Sequence, residues 1–347
     1  MPAARPRPAP PADARDTPEG GRQLRCRGRA LSLDRAHVVG VLNVTPDSFS
    51  DGGRYLGVQA ALDRAGEMAE EGAAVVDVGG ESTRPRGRVY GAGAAPVGAE
   101  EELERVVPVV EAIARALPGV LISVDTYKEV VAREALRAGA HIVNDVTGLR
   151  DGAGTAEAAA EVGAALVVMH AAGRPGALPH EPEVGASQPG ATSQPEAASQ
   201  PRRQPLAAGA GEARDVAEAV ARSLCRSVRR AEAAGVRDVV VDPGFGFGKT
   251  PGENLRLVAE TGRLAEATGR PVLVGVSRKS TVGVALGSAE RPAPVGERLY
   301  GSLGLAALAV VRGARFVRAH DVRETAETLR VIAAAEAAAA EARAGAR

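Results

Sequence analysis

Tryptophan is absent from this 347-residue chain, and all aromatic residues together make up 2% of it. A core must therefore be assembled from Val, Leu, Ile and Ala, which a hydrophobic content of 45% supplies. No apolar run approaches the roughly 18 residues that a bilayer-spanning helix needs, which excludes a membrane span. Neither sign of charge is in excess, since 43 Lys+Arg face 43 Asp+Glu. The chain thus lacks the basic footprint expected of a nucleic-acid or anionic-membrane binder. Its two cysteines, Cys26 and Cys225, have no spacing partner, so neither a zinc site nor a disulfide framework is indicated. The opening stretch MPAARPRPAPPADARDTPEGG is rich in Pro and charge and has no apolar segment of the secretory type. A reducing, cytoplasmic setting fits these features.

Lysine and asparagine are scarce as well. The Lys residues are Lys128, Lys249 and Lys279, and the Asn residues are Asn43, Asn144 and Asn254. A chain that uses Arg and Ala so freely keeps Lys or Asn where their particular chemistry is needed, because Lys and Arg are not interchangeable at tight contacts.

What is present is an alternation. Short β-branched runs at 37–43, 74–79, 120–125, 141–146, 164–169, 238–242, 271–276 and 315–319 read as strands. Helical patterns near 58–71, 99–117, 128–138, 154–162, 213–234, 253–267, 278–286, 297–312 and 323–343 separate or follow them. In 99–117, Leu103, Val106, Val107, Val110, Ile113 and Leu117 form the apolar stripe, and Glu100, Glu101, Glu102 and Glu104 crowd the first turns, where the helix dipole favours them. Strand–helix alternation implies parallel pairing with right-handed crossovers. Eight units predict a (β/α)8 TIM barrel of the α/β class, with an open doubly wound sheet as the alternative. No G-x-G-x-x-G follows the first strand, which counts against a dinucleotide site. Residues 1–30 read as a disordered tail and 31–345 as one barrel domain. Within it, 185–213, with SQP three times, reads as a disordered low-complexity insertion after the fifth strand.

The strand ends carry the chemistry. The first run, GVLNVTPDSFSDGG, leaves its apolar character at Asn43, and the others end at Asp77, Asp125, Asn144–Asp145, Met169–His170, Asp242, Ser277–Arg278–Lys279 and Arg318–His320. A barrel collects all eight ends on one rim, where barrel enzymes keep their active sites. Asp77, Asp125, Asp242 and Asn144 suit a flat ring with a donor-rich, guanidine-like edge. Arg84, Arg318 and His320 suit an anion such as phosphate. Asn43 offers an amide oxygen to a magnesium ion carried in on phosphate. The stretch VDPGFGFGKT is not a Walker A loop, because Pro243 stands where that motif needs its first Gly. His37 and His141 open strands on the opposite rim and read as structural, and Lys249 after the Gly-rich turn reads as solvated.

Nine blocks, in order from about residue 37 to 325, resemble the dihydropteroate synthase family. They are VGVLNVTPDSFSDGG, VDVGGESTRP, SVDTYKEVV, IVNDVTG, VVMH, VDPGFGFGK, VGVSRKS, ERLYGS and VRAHDV. The resemblance implies a folate-pathway transferase, a sulfonamide target, that condenses a dihydropterin diphosphate with 4-aminobenzoate. It implies pterin contacts from Asp125, Asn144, Asp242 and Lys279, a pocket lined by Met169 and Phe247, close backbone approach at Gly275, and Arg318 across the pterin face. It implies diphosphate contacts from Asn43, Thr83, Arg84, Arg318 and His320, with magnesium at Asn43. Ser280, Phe49 and Pro85 would lie near the aminobenzoate. The family is commonly a homodimer through helices of the last barrel units. Two stretches depart from the family pattern, RGRVYGAG after Pro85 and AAGRPGALP after His170. They leave room for two alternatives on the same barrel, a non-catalytic pterin-binding paralogue and a pterin-dependent methyltransferase. The methyltransferase would have no use for the SRKS block or the Arg318–His320 pair.

Overall fold

A computed structural model describes residues 22–44, 53–81, 97–171 and 215–345. Ten strands and ten α-helices run in the order β1 (Gln23–Cys26), β2 (Arg29–Ser32), β3 (His37–Asn43), α1 (Gly53–Glu71), β4 (Ala73–Gly79), α2 (Ala99–Ala116), β5 (Leu121–Asp125), α3 (Glu129–Ala138), β6 (Ile142–Asp145), α4 (Gly154–Val162), β7 (Ala165–Met169), α5 (Val216–Ala233), β8 (Val239–Asp242), α6 (Pro251–Ala259), α7 (Thr261–Thr268), β9 (Leu273–Val274), α8 (Ser280–Leu286), α9 (Leu299–Val311), β10 (Phe316–Ala319) and α10 (Val322–Gly345). Strands β3 to β10 form one parallel sheet in the order β8-β7-β6-β5-β4-β3-β10-β9. A parallel bridge between Val241 and Val272 joins its two edges, with Val241 N–H donating to Pro271 C=O at 3.0 Å. The sheet is therefore the expected eight-stranded barrel and not an open one.

Side chains in a strand alternate faces, and here the alternation divides the core in two. Val38, Val76, Ile122, Val143, Leu166, Val239, Val274 and Val317 pack outward with the helices. Val39, Val75, Leu121, Ile142, Val167, Val240, Leu273 and Phe316 belong to a second cluster that fills the lower barrel. Counting on by twos from this inner set gives Asn43, Asp77, Asp125, Asn144, Met169, Asp242, Gly275, Ser277, Arg318 and His320. The residues that fill the barrel at its base and those that form the rim site thus share one parity.

The expected tail is shorter than residues 1–30. Residues 23–32 form an antiparallel hairpin whose tight turn places Arg27 and Gly28 at positive φ, 49° and 79°. Leu24, Cys26 and Leu31 point into the inner cluster and stopper the barrel bottom. The reason is a period-two pattern too short to stand out, locked by Arg25 N–H on Asp238 (2.9 Å) and the Arg29 guanidinium on the Val120 and Gly119 carbonyls (both 2.9 Å). Burial pushes the Cys26 thiol up to about 12, which makes it an inert core residue. Residues 1–21 and the expected insertion at 185–213 lie outside the described residues.

Two helices also differ from expectation. The single helix 253–267 is two, because Thr261 turns its hydroxyl back on the Leu257 and Val258 carbonyls (3.3 and 2.8 Å) at the break. In α2, Val109 rather than Val107 joins the buried stripe, and Glu102 of the acidic first turn is buried with it. It is ion-paired to Lys128, which also pairs with Glu81 and tops the N-terminus of α3.

Candidate active site

One end of the rim is a buried charge network. Arg318 Nε donates to Asp77 Oδ2 at 2.7 Å, and its Nη2 donates to Asp125 Oδ2 at 2.8 Å. Asn144 Nδ2 adds a bond to the same Asp77 oxygen at 3.1 Å. Asp77, Asp125 and Asn144 are 0%, 6% and 5% exposed, so two buried carboxylates share one guanidinium, whose side chain is 23% exposed. The Oδ1 atoms of both aspartates are buried and, among the described residues, have no hydrogen-bond partner. An orphaned buried acceptor costs free energy until a donor arrives, so these oxygens are poised for a ligand rich in N–H groups. Burial, opposed by Arg318 and reinforced by Asp77, pushes the Asp125 carboxyl up to about 7. Burial alone would lower the Arg318 pKa, but Asp77 and Asp125 outweigh it and hold the group charged.

The opposite end is built on Asp242 and Lys279. Gly244 N–H donates to Asp242 Oδ1 at 2.6 Å, and burial raises the carboxyl above its usual range against the pull of Lys279. Lys279 Nζ donates to the Phe245 carbonyl and lies 4.5 Å from the centre of the Phe247 ring. Burial brings it down to about 8, opposed by Asp242. Met169 and Phe247 pack together with Val146 and Ala171 to form the apolar wall. At Gly275 a methyl group would lie 3.7 Å from Arg318 Cβ and 3.8 Å from Lys279 Nζ, in the gap between the two cations. In the slot between these ends the rim offers fixed acceptors and cations, with Met169 and Phe247 as apolar neighbours.

The other expected residues take up places around that slot. Asn43 ends β3, and its amide oxygen and Asp125 Oδ2 converge on Gly79, 3.9 and 3.8 Å from where a Gly79 Cβ would sit. His320 Nδ1 lies 3.2 Å from Ser277 Oγ, which also accepts the His320 N–H at 3.3 Å. Ser280 is the first residue of α8 and is buried. Phe49, Thr83, Arg84 and Pro85 lie outside the described residues. Asp145, although at a strand end, has the outward parity and bonds Thr147 and Thr155 instead of facing the slot.

Lys249 is not solvated as expected. It is 3% exposed, and its ammonium donates to the Gly244, Phe247 and His170 carbonyls at 2.9, 3.1 and 3.4 Å. Burial lowers it to about 7, with Asp242 opposing. It ties down the Gly-rich turn, where Gly244 has a φ of 67° and any Cβ would lie 1.8 Å from the His170 carbonyl. The scarcity of Lys was the signal for this role. His37 and His141 are structural, as expected. His37 Nε2 meets the Ser32 carbonyl at 2.6 Å, and His141 Nδ1 accepts the Ile122 N–H at 3.2 Å.

A (β/α)8 barrel that carries paired buried carboxylates, half-buried cations and an apolar wall on its C-terminal rim is an enzyme for a flat, polar, anion-bearing substrate. Residues 39–320 match the family model described as pterin binding enzyme. The dihydropteroate synthase of Escherichia coli K12 is 42% identical over 316 residues, which cover 90% of this chain and 96% of that protein. A solved Xanthomonas albilineans dihydropteroate synthase with 4-aminobenzoic acid is 39% identical, with a TM-score of 0.71 over 91% of this chain and 98% of that one. The same enzyme in complex with 7,8-dihydropteroate is 37% identical with a TM-score of 0.69, over 91% and 99%. The chain belongs to the pterin-binding enzyme family, in its dihydropteroate synthase branch.

Proposed function

We infer that this chain condenses 6-hydroxymethyl-7,8-dihydropterin diphosphate with 4-aminobenzoate, giving 7,8-dihydropteroate and diphosphate. The observation that carries the reading is the pair of orphaned oxygens on Asp77 and Asp125, held in place by Arg318 and faced across the slot by Asp242 and Lys279. A pterin presents N–H donors along one edge and ring acceptors along the other, which match carboxylates at one end and an ammonium at the other. Met169 and Phe247 would hold its faces. In the reaction the bond from the pterin methylene to the diphosphate oxygen breaks, and the amine nitrogen takes its place and loses a proton. No side-chain nucleophile is needed. Arg318, with His320 beside it, lies where charge develops on the departing group, the electrostatic kind of catalysis. Diphosphate release that requires 4-aminobenzoate tests the function, and release of free diphosphate without it would point to a hydrolase instead.

The pH profile follows from the site. Asp125 must be ionised to accept from the pterin, and its pKa is raised to about 7, so kcat/KM rises as pH increases through that value. Lys279 must stay protonated to donate, and its pKa is lowered to about 8, so kcat/KM falls above it. A narrow bell with arms near 7 and 8 is expected, because kcat/KM reports groups of the free enzyme. A flat profile from pH 5.5 to 9 would overturn these roles.

Magnesium fits the donor set at Asn43 as an ion brought by the diphosphate. Among the described residues no group of three or more His, Cys, Asp or Glu could cage a metal, which suits an ion held mainly by the diphosphate and met by the Asn43 amide oxygen at the end of β3. When bound, the ion would offset charge on the leaving diphosphate. Chelation with EDTA should stop turnover and added magnesium should restore it, while Asn43→Ala should shift the magnesium requirement upward by about tenfold, the worth of one oxygen contact. Turnover that is indifferent to chelator would remove this part of the reading. A homodimer through the last helices is supported by exposed apolar side chains there, Tyr300 (82%), Val311 (61%) and Leu286 (53%). No helix among the described residues is long and apolar enough to cross a membrane.

A further inference from the structure

The block ERLYGS has no part in the slot, yet it holds the largest fully buried side chain among the described residues, Arg298. This residue caps α9, and its guanidinium reaches away from that helix to main-chain carbonyls. Nε donates to Ala293 at 2.8 Å and Nη1 donates to Arg278 at 3.0 Å. One turn on, Ser302 accepts the Arg278 N–H at 2.9 Å while its own hydroxyl donates to the Arg298 carbonyl at 2.7 Å. Both main-chain groups of Arg278 are thus held from α9.

Arg278 needs holding. Its φ is 58°, in the left-handed region that costs an L-residue with a Cβ, and it occupies the third place of a turn that runs from Val276 to Lys279. Gly or Asn is usual there. The conformation has a consequence on either side. Ser277 is turned to His320, and Lys279 is turned to Phe245, Phe247 and Asp242. Space for the clamp is provided by Gly283 in α8, where a methyl group would lie 2.6 Å from Arg298 Nε.

We propose that Arg298 and Ser302 are positioning residues: they fix Arg278 in the left-handed conformation and so aim Lys279 and Ser277 into the active site. The proposal rests on the reading of Lys279 as a pterin-binding group. Glycine adopts positive φ without penalty, so the clamp becomes dispensable if residue 278 has no Cβ.

The test is a double-mutant cycle of Ser302→Ala with Arg278→Gly, read in kcat/KM for the dihydropterin diphosphate and in thermal unfolding. Ser302→Ala is expected to lower kcat/KM about tenfold, the scale of a left-handed residue's cost. In the Arg278→Gly background the same change should cost less than about threefold, whatever Arg278→Gly does alone through its ion pair with Asp321. The fall in melting temperature should shrink in the same way. Gly283→Ala, which displaces Arg298, should lose activity alongside Ser302→Ala while still folding, as circular dichroism would show. Equal losses in both backgrounds, in rate and in melting, would overturn the clamp. A chain without turnover even when unsubstituted would remove the functional reading, and the melting cycle would still decide the clamp.

Discussion

Replacing Arg318 with Met is expected to remove turnover and to cost on the order of 3–5 kcal/mol of stability at pH 8, the usual penalty for breaking a buried ionic group from one side. Met keeps the packing of the stem and deletes the guanidinium, so the loss isolates charge. Two carboxylates, Asp77 at 0% and Asp125 at 6% exposure, are then left without the group that bonds both. The penalty has a pH signature. Asp125 already has a folded pKa raised to about 7, above its unfolded value, so the folded state binds its proton more tightly. A raised carboxyl pKa destabilises above the folded value and ceases to do so as pH falls towards the unfolded one. Removal of Arg318, which lowers that pKa, pushes it further up. The gap between variant and parent in thermal unfolding should therefore widen as pH rises through 7 and narrow towards pH 5. Asp125→Asn in the Arg318→Met background should recover part of the stability and none of the activity. A variant as stable as the parent at pH 8 would show that the network is not the buried ionic group described here.

The second large effect concerns Lys279. Lys279→Ala should lower kcat/KM for the dihydropterin diphosphate by roughly 10²–10³-fold, from loss of a charge-assisted contact and of the cation that acts most strongly on Asp242. The ammonium is 4.5 Å from the Phe247 ring centre and bonded to the Phe245 carbonyl, a compact position. Arginine cannot take it, because a planar fork needs more room than a point charge. Lys279→Arg is accordingly expected to stay within about tenfold of Lys279→Ala. Diphosphate release with saturating 4-aminobenzoate is the measurement, with circular dichroism as the check on folding. Activity within fivefold of the parent would move the pterin site away from this residue.

Much of this was legible along the chain, for a reason visible at particular residues. Strand parity is local: once Val39, Val75, Leu121 and Val240 face inward, Asn43, Asp77, Asp125 and Asp242 must follow at even spacing. The strand limits at 37–43 and the rim residues Asn144, Arg318 and His320 needed nothing beyond that period. Lys249 lies beyond that local reading, because nothing in its neighbours says that three carbonyls will surround it. Glu102, in the first turn of α2, is drawn inside by Lys128, 26 residues away, a pairing that no local pattern shows. The hairpin at 23–32 is not legible locally, because four-residue strands carry too little pattern and their stability comes from a barrel floor contributed by eight other strands.

Short-range periodicity and residue chemistry are enough to set the eight units, the parity that brings polar strand ends to one rim, and the kinds of group gathered there. How those groups share charge is a matter of the closed barrel. That Arg318 bridges Asp77 and Asp125, 241 and 193 residues away, leaving one oxygen of each for a ligand, depends on barrel closure. So does the grip of α9 on the left-handed Arg278, because a φ of 58° is set by bonds from Arg298 and Ser302 that no local preference of Arg would produce.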